Sequence, residues 1–255
     1  MSTPSAPGPV VVLAAMAEEA APLVARLEGA RESLAPFPGA ARPVAVASGT
    51  LAGREVHVVT CGIGIAAASA ATTWAALALA PAAIVSAGSA GGLADDVEVG
   101  TLIVSDTARY SIADATAFGY APGQVPGQPE EFAADPALAD AAERAARGVV
   151  AGPGAASIEN PDPSPAMRRG LMLSGDAFVT APLAEPMRAR FPGALSADME
   201  TAAIAQTCSA LGVPFVALRA VSDLCGPRAN QQFHLEIDVV AETSAAAVAR
   251  LIAHL

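Results

Sequence analysis

Residues 62–94 contain no Asp, Glu, Lys, Arg or His, and an uncharged run of that length belongs either in a lipid bilayer or inside a folded domain. Its apolar residues are mostly Ala, interrupted by Ser, Thr, Gly and Pro81, with no basic cluster at either end. Spanning helices are instead built on Leu, Ile, Phe and Val and are flanked by Lys and Arg. The run therefore reads as an Ala-rich helix over 65–79, ended by Pro81, and then a buried strand at 83–87. Composition agrees with an interior location: hydrophobic residues make up 53% of the 255, aromatics only 4%. The mean hydropathy of +0.45 is thus carried by small side chains, as in a globular chain without a membrane segment.

Around that run, strand and helix signals alternate. A short apolar run at 10–14 leads into a helix continuing to Leu27, and segments 43–47 and 55–60 form a hairpin-like pair about Gly53. After the 83–87 strand come a strand at 101–104 and an irregular, Gly- and Pro-dense segment at 108–129, a length that usually signals function. The pattern resumes with a helix at 136–147, a strand at 170–173, a helix at 184–190 and a strand at 193–197. A helix at 199–211, a strand at 215–220 and a terminal helix at 239–254 complete it. Such alternation predicts an α/β fold, a central parallel or mixed sheet covered on both faces. No internal repeat is present, and the Pro/Gly/Ser-rich stretch 148–167 is too short to separate domains, so residues 1–255 are expected to form one domain.

Charge narrows the partners. Fourteen Lys and Arg stand against 25 Asp and Glu, a net charge of −11, where a nucleic-acid-binding surface needs cations for phosphate. Cys61, Cys208 and Cys225 form no CxxC pair and the three His residues are dispersed, so neither a disulfide framework nor a metal site is expected. The first nine residues lack the positive charge of a secretory or transit leader, which points to the cytoplasm.

Ligands of open α/β sheets gather beyond the carboxyl ends of the strands. Those ends carry Glu18 and Glu19, then Gly88-Ser89-Ala90-Gly91-Gly92, Ser174-Gly175-Asp176-Ala177-Phe178, Asp198-Met199-Glu200 and Ser222-Asp223. Taken singly, each has a plainer reading. Glu18 and Glu19 suit the first turn of a helix, Asp198 and Asp223 suit helix N-caps, the glycine run suits a tight turn, and Phe178 suits a core. The glycine spacing is neither GxGxxG nor a P-loop. Five strand ends that converge on acids, small residues and one aromatic nevertheless describe a site.

Taken in order, Ala15-Met16-Ala17-Glu18-Glu19, Cys61-Gly62-Ile63-Gly64, the 88–92 run, 113–120, 174–178, Asp198-Met199-Glu200 and Arg219-Ala220-Val221-Ser222-Asp223 resemble the bacterial 5′-methylthioadenosine/S-adenosylhomocysteine nucleosidases of the purine nucleoside phosphorylase superfamily. The resemblance spans residues 10–255. It implies a three-layer α/β/α sandwich with a mixed sheet, a homodimer, no cofactor, and hydrolysis of the bond between adenine and a 5′-thio-substituted ribose. By that resemblance Asp223, beside Ser222, is the general acid for N7 of adenine, with a pKa raised by burial. Glu19 binds and deprotonates the attacking water, Glu200 grips the ribose hydroxyls with Met199 packed on the sugar, and Arg219 supports the acidic cluster. Phe178 stacks on the base while the backbone of Val179 meets its edge. Ser89, Ala90 and Gly91 line the sugar side, Ile63 and Met16 add apolar surface, and Phe118, Tyr120 and Pro126 belong to the loop that covers the thioether, partly across the dimer.

The same resemblance separates water from phosphate. Phosphorylases of the superfamily carry Arg at the position of Ser86 and in the segment 16–22, where this chain has Glu18 and Glu19 and no Arg. A phosphate dianion needs cationic donors, so hydrolysis is expected. Ala17, Ile65, Ala115, the longer 225–230 segment and Ile237 depart from the family pattern. They leave a futalosine or aminodeoxyfutalosine hydrolase of menaquinone synthesis as the alternative, with a phosphate-dependent phosphorylase behind it.

Overall fold

Every residue of β1 (Val10–Ala14) is buried, which requires cover on both faces of the strand, because successive side chains point to opposite sides. In the computed structural model, which describes residues 8–37, 43–150 and 167–255, Val10, Val12 and Ala14 share a core with α1 (Ala17–Val24), α3 (Pro136–Val150) and α6 (Ala229–Ile252). Val11 and Leu13 share the opposite core with α2 (Ile65–Leu79) and α5 (Thr201–Leu211). The small residues of α2 suit this position: Ala68, Ala71 and Ala75 let the helix lie close against the sheet. These layers make the α/β/α sandwich about a mixed sheet that the sequence predicts.

On one side of β1 the sheet is a simple extension. β4 (Arg54–Thr60) pairs parallel to β1, β3 (Ala45–Leu51) antiparallel to β4, and β2 (Glu28–Leu34) antiparallel to β3. The β3–β4 connection is the two-residue turn Ala52–Gly53, with φ of +50° and +78°, the primed geometry that matches strand twist. On the other side the sheet closes. β5 (Ala83–Gly92) pairs with β1 and with β10 (Phe215–Asp223), which continues through β6 (Leu102–Tyr110), β8 (Met167–Ser174) and β9 (Ala194–Asp198) back to β5. A short β7 (Phe132–Ala133) adds to β6, and α4 (Ala181–Arg190) packs against the ring through Met187 and Ala184.

Several boundaries differ from those expected. α1 ends at Val24 rather than Leu27, and β2 follows at once. β2 carries no apolar alternation and all seven of its residues are exposed, as befits a charged edge strand. The glycine run 88–92 is not a turn but the second half of β5, held extended by pairing along β10 as far as Asp223↔Gly91. β6 likewise runs on to Tyr110, which shortens the irregular segment, and α6 begins at Ala229 instead of Val239. Most of the 148–167 stretch lies outside the described residues. No helix among the described residues is long and apolar enough to cross a membrane.

Candidate active site

The candidate site forms where β5 leaves β1 for β9. Pairing with β1 ends at Leu13↔Ser86, and pairing with β9 begins at Gly91↔Ala197. Glu19, from the first turn of α1, enters this opening. Its Oε1 accepts hydrogen bonds from the Ser89 N–H and hydroxyl, both at 2.8 Å, and its Oε2 from the N–H groups of Ala15 and Met16 at 2.9 and 3.2 Å. Gly88 (φ +130°) makes room, since a methyl group there would overlap the Glu19 carboxylate. A glycine serves here for both conformation and space.

Arg219 projects from β10 beneath this carboxylate and is 2% exposed. Its guanidinium donates to Ser89 O at 2.7 Å, to the Ser86 hydroxyl at 3.1 Å and to Glu200 Oε2 at 3.3 Å. Glu19 and Asp198 stand 3.7 Å from it. Burial works against the charge, but Asp198, Glu19 and Glu200 outweigh it and hold the guanidinium above its ordinary pKa. Glu200 shows the reverse balance. Burial pushes its carboxyl up to about 7, aided by Asp198 and Glu19 and opposed by Arg219 and by the Gly64 N–H, which donates to Oε1 at 2.9 Å. Among the described residues no group of His, Cys, Asp or Glu is arranged to hold a metal ion.

Asp223 lies at the end of β10 in different surroundings. Its Oδ1 accepts the Cys225 N–H at 2.9 Å and its Oδ2 the Ser222 hydroxyl at 3.0 Å. Burial raises its pKa, and those two hydrogen bonds offset the rise only in part. Cys225 reaches this position with φ of +52°, unusual for a residue with a side chain.

A cavity of about 190 Å³ joins the two acidic ends. Of the residues singled out from sequence, Asp223, Glu19, Glu200, Arg219, Ser222, Phe178, Val179, Met199, Ser89, Ala90, Gly91, Ile63 and Met16 all line it. Phe118, Tyr120 and Pro126 do not line it: Phe118 sits on a short 3₁₀ turn (Thr116–Phe118) at 83% exposure, and Pro126 is also exposed. Six lining residues were given no role in the site from the sequence: Ala15, Ala177 and Ala197, which add small apolar surface, and Asp198, Cys225 and Phe233. Asp198 is not the N-cap of α5, a position Glu200 takes, but its Oδ1 accepts from Ser174 Oγ and from the N–H groups of Glu200 and Thr201, and its Oδ2 faces Arg219 without a hydrogen bond among the described residues. Cys225 is placed by its unusual backbone, and Phe233 of α6 stands edge-on to Phe178, ring centroids 5.8 Å apart. The early start of α6 carries Phe233 to the cavity, and no spacing in the sequence announces it.

The sequence model of the phosphorylase superfamily matches residues 9–255. The 5′-methylthioadenosine/S-adenosylhomocysteine nucleosidase of Tolumonas auensis is 36% identical over 208 residues, 81% of this chain and 85% of that protein. The crystal structure of the corresponding nucleosidase from Neisseria meningitidis, in complex with methylthio-immucillin-A, superposes with a TM-score of 0.87 at 35% identity, covering 97% of this chain and all of the other. The enzyme from Colwellia psychrerythraea, in complex with adenine, gives 0.85 at 29% identity, with 98% and 96% of the two chains covered. The chain belongs to the phosphorylase superfamily and, within it, to the 5′-methylthioadenosine/S-adenosylhomocysteine nucleosidases.

Proposed function

We propose that the chain hydrolyses the N-glycosidic bond of 5′-methylthioadenosine and S-adenosylhomocysteine, releasing adenine and the thio-ribose. The observation that carries this reading is the division of one cavity into two acidic ends, a protonatable Asp223 at one and carboxylates gathered on Arg219 at the other. Asp223, its pKa raised by burial, donates its proton to N7 as the C–N bond breaks, so that the electron pair leaves on a neutral base. The sugar passes through an oxocarbenium-like state, which the anionic end of the cavity stabilises. Water held by Glu19 adds to C1′ and gives its proton to Glu19, while Glu200 holds the ribose hydroxyls and Met199 packs on the sugar. Ser222 orients Asp223, Arg219 keeps the carboxylates together, and Phe178 and Val179 hold the base. Ser89, Ala90 and Gly91 approach the sugar, and Ile63 and Met16 the 5′ group.

Water rather than phosphate is the nucleophile in this reading. The guanidinium at the nucleophile end is engaged by Glu19, Glu200 and Asp198, and Ser86, where phosphorylases carry Arg, accepts from Arg219. A phosphate dianion would enter beside three carboxylates whose one cation among the described lining residues, Arg219, is already engaged. Phe118, Tyr120 and Pro126 belong to the loop that covers the thioether end, partly from a second copy. A homodimer is supported by uncharged α2, on which Leu77 is 72% exposed beside Trp74 and Phe37; light scattering reads this directly. The chain acts as one domain in the cytoplasm, in the recovery of methionine from thio-nucleosides.

The deciding experiment follows adenine release from methylthioadenosine, adenosylhomocysteine and aminodeoxyfutalosine side by side in phosphate-free buffer. Release from the two thio-nucleosides is the expected result. Activity confined to aminodeoxyfutalosine would move the same chemistry to menaquinone synthesis, and strict dependence on added phosphate would overturn hydrolysis.

A further inference from the structure

Asp176 lies outside the cavity wall, two residues before Phe178, and is exposed. Its Oδ1 nevertheless accepts the N–H of Ile65, the first residue of α2, at 2.7 Å. The preceding amide, Gly64 N–H, donates to Glu200 Oε1 at 2.9 Å. Two successive amides at one helix start, groups with no partner inside the helix, are thus held by carboxylates from two other segments. One follows β8 and the other stands at the start of α5. Gly64 has φ of +101°, and a methyl there would come 2.8 Å from Asp176 Oδ1. The turn therefore leaves no space for a side chain between the helix start and the carboxylate that holds it.

We propose that Asp176 is a positioning residue for Glu200: by holding the Ile65 amide it fixes the 62–65 turn, so that the Gly64 N–H meets Glu200 Oε1 and the carboxylate faces the cavity in one orientation. A carboxylate at a helix start is also favoured by the helix dipole. The groups facing Glu200 are Arg219 from β10, Asp198 from the end of β9, Glu19 from α1 and the Cys61 thiol beyond β4. Among the described residues none of these groups is hydrogen-bonded to the Asp176 carboxylate, which instead holds the amide next to Gly64. The Gly64 amide favours the ionised form of Glu200, so releasing it lets the carboxyl titrate at higher pH.

The test follows the titration of Glu200 by ¹³C NMR in protein labelled at the Glu carboxyl carbons, the signal assigned through Glu200→Gln. In Asp176→Ala the Glu200 midpoint is expected to rise by roughly 0.5 pH or more. Asp176→Asn, which keeps an acceptor for Ile65, should remain within roughly 0.2 pH of the parent. Gly64→Ala, which displaces the turn from its other side, should repeat the rise and serves if Asp176→Ala does not fold. An unchanged midpoint in both Asp176→Ala and Gly64→Ala overturns the proposal, whether or not the protein is active. A kinetic arm rests on the reading of Glu200 as the ribose carboxylate. Asp176→Ala should raise KM for methylthioadenosine by roughly fivefold with a smaller change in kcat, and should add little in a Glu200→Gln background, as expected of residues acting as a unit. An inactive parent would overturn the nucleosidase reading and leave the titration to decide the role of Asp176.

Discussion

The two ends of the cavity hold the same functional group under opposite physical conditions. At one end Glu19, Asp198 and Glu200 surround Arg219, and each oxygen of Glu19 and Glu200 has a donor or the guanidinium within reach. At the other, Asp223 is buried with two hydrogen bonds, one to a backbone amide and one to a hydroxyl, and no cation is among the causes that set its pKa. A buried carboxylate paired with a cation holds its charge, and one without holds its proton. The difference teaches that a guanidinium a few ångströms away favours charge on the carboxylates it touches, and that burial opposes it where the cation is shared. At Glu200 burial outweighs its share of a cation divided among three acids, and its pKa is pushed up to about 7.

The largest expected effect breaks the Asp223 end alone. Asp223→Asn retains the shape and removes the proton, and kcat for adenine release should fall by about 10²–10⁴-fold, the usual contribution of a general acid. Single-turnover kinetics with bound methylthioadenosine would check it, and near-parental kcat would remove Asp223 from the chemistry. The next sharpens the Arg219 end through stability. The folded chain keeps a proton on Glu200 up to about pH 7, whereas an unfolded Glu gives it up near 4.5. The stabilisation is therefore whole below about 4.5 and lost as the pH rises through 7. Urea unfolding of the parent and of Glu200→Gln should show the parent losing stability relative to the variant, on the order of 2–3 kcal/mol between pH 5 and 8. Parallel curves would contradict this. The smallest effect belongs to Ser222→Ala. Its hydroxyl favours ionised Asp223, so losing it should shift the alkaline limb of the kcat profile upward by roughly half a pH unit, with a few-fold change in kcat at most. A downward shift would mean that the hydroxyl stabilises the protonated acid instead.

Legibility in the sequence followed the strength of local signals. β1, α2, α3 and the β3–β4 hairpin were readable because burial on both faces, a proline stop, helical periodicity and a glycine turn are local properties. β2 was not, since a strand held only by an edge pairing needs no apolar alternation. The second half of β5 read as a turn because Gly88, Gly91 and Gly92 carry no signal for the pairing with β10 that keeps them extended. In the site, polar residues at strand ends were legible as a set. The place of Asp198 beside Arg219 was not, because its neighbours in the chain point to the start of α5, which Oδ1 does hold, while Oδ2 points at an arginine from another strand. Phe233 escaped notice because only the early start of α6 carries it to Phe178.

By itself the sequence determined the α/β class, the uncharged helix-and-strand centre, the acidic character, and, through the order of its motifs, the resemblance to the nucleosidases. Those properties follow from composition, periodicity and residue order, each of which is written along the chain. Only the tertiary structure decided that the sheet closes on itself from β5 through β10 and β9, which opens the gap that Glu19 fills. It also decided which carboxylates share Arg219 and which one stands apart, because a pKa is set by distance and burial, and both arise only when strands far apart in the chain are brought side by side.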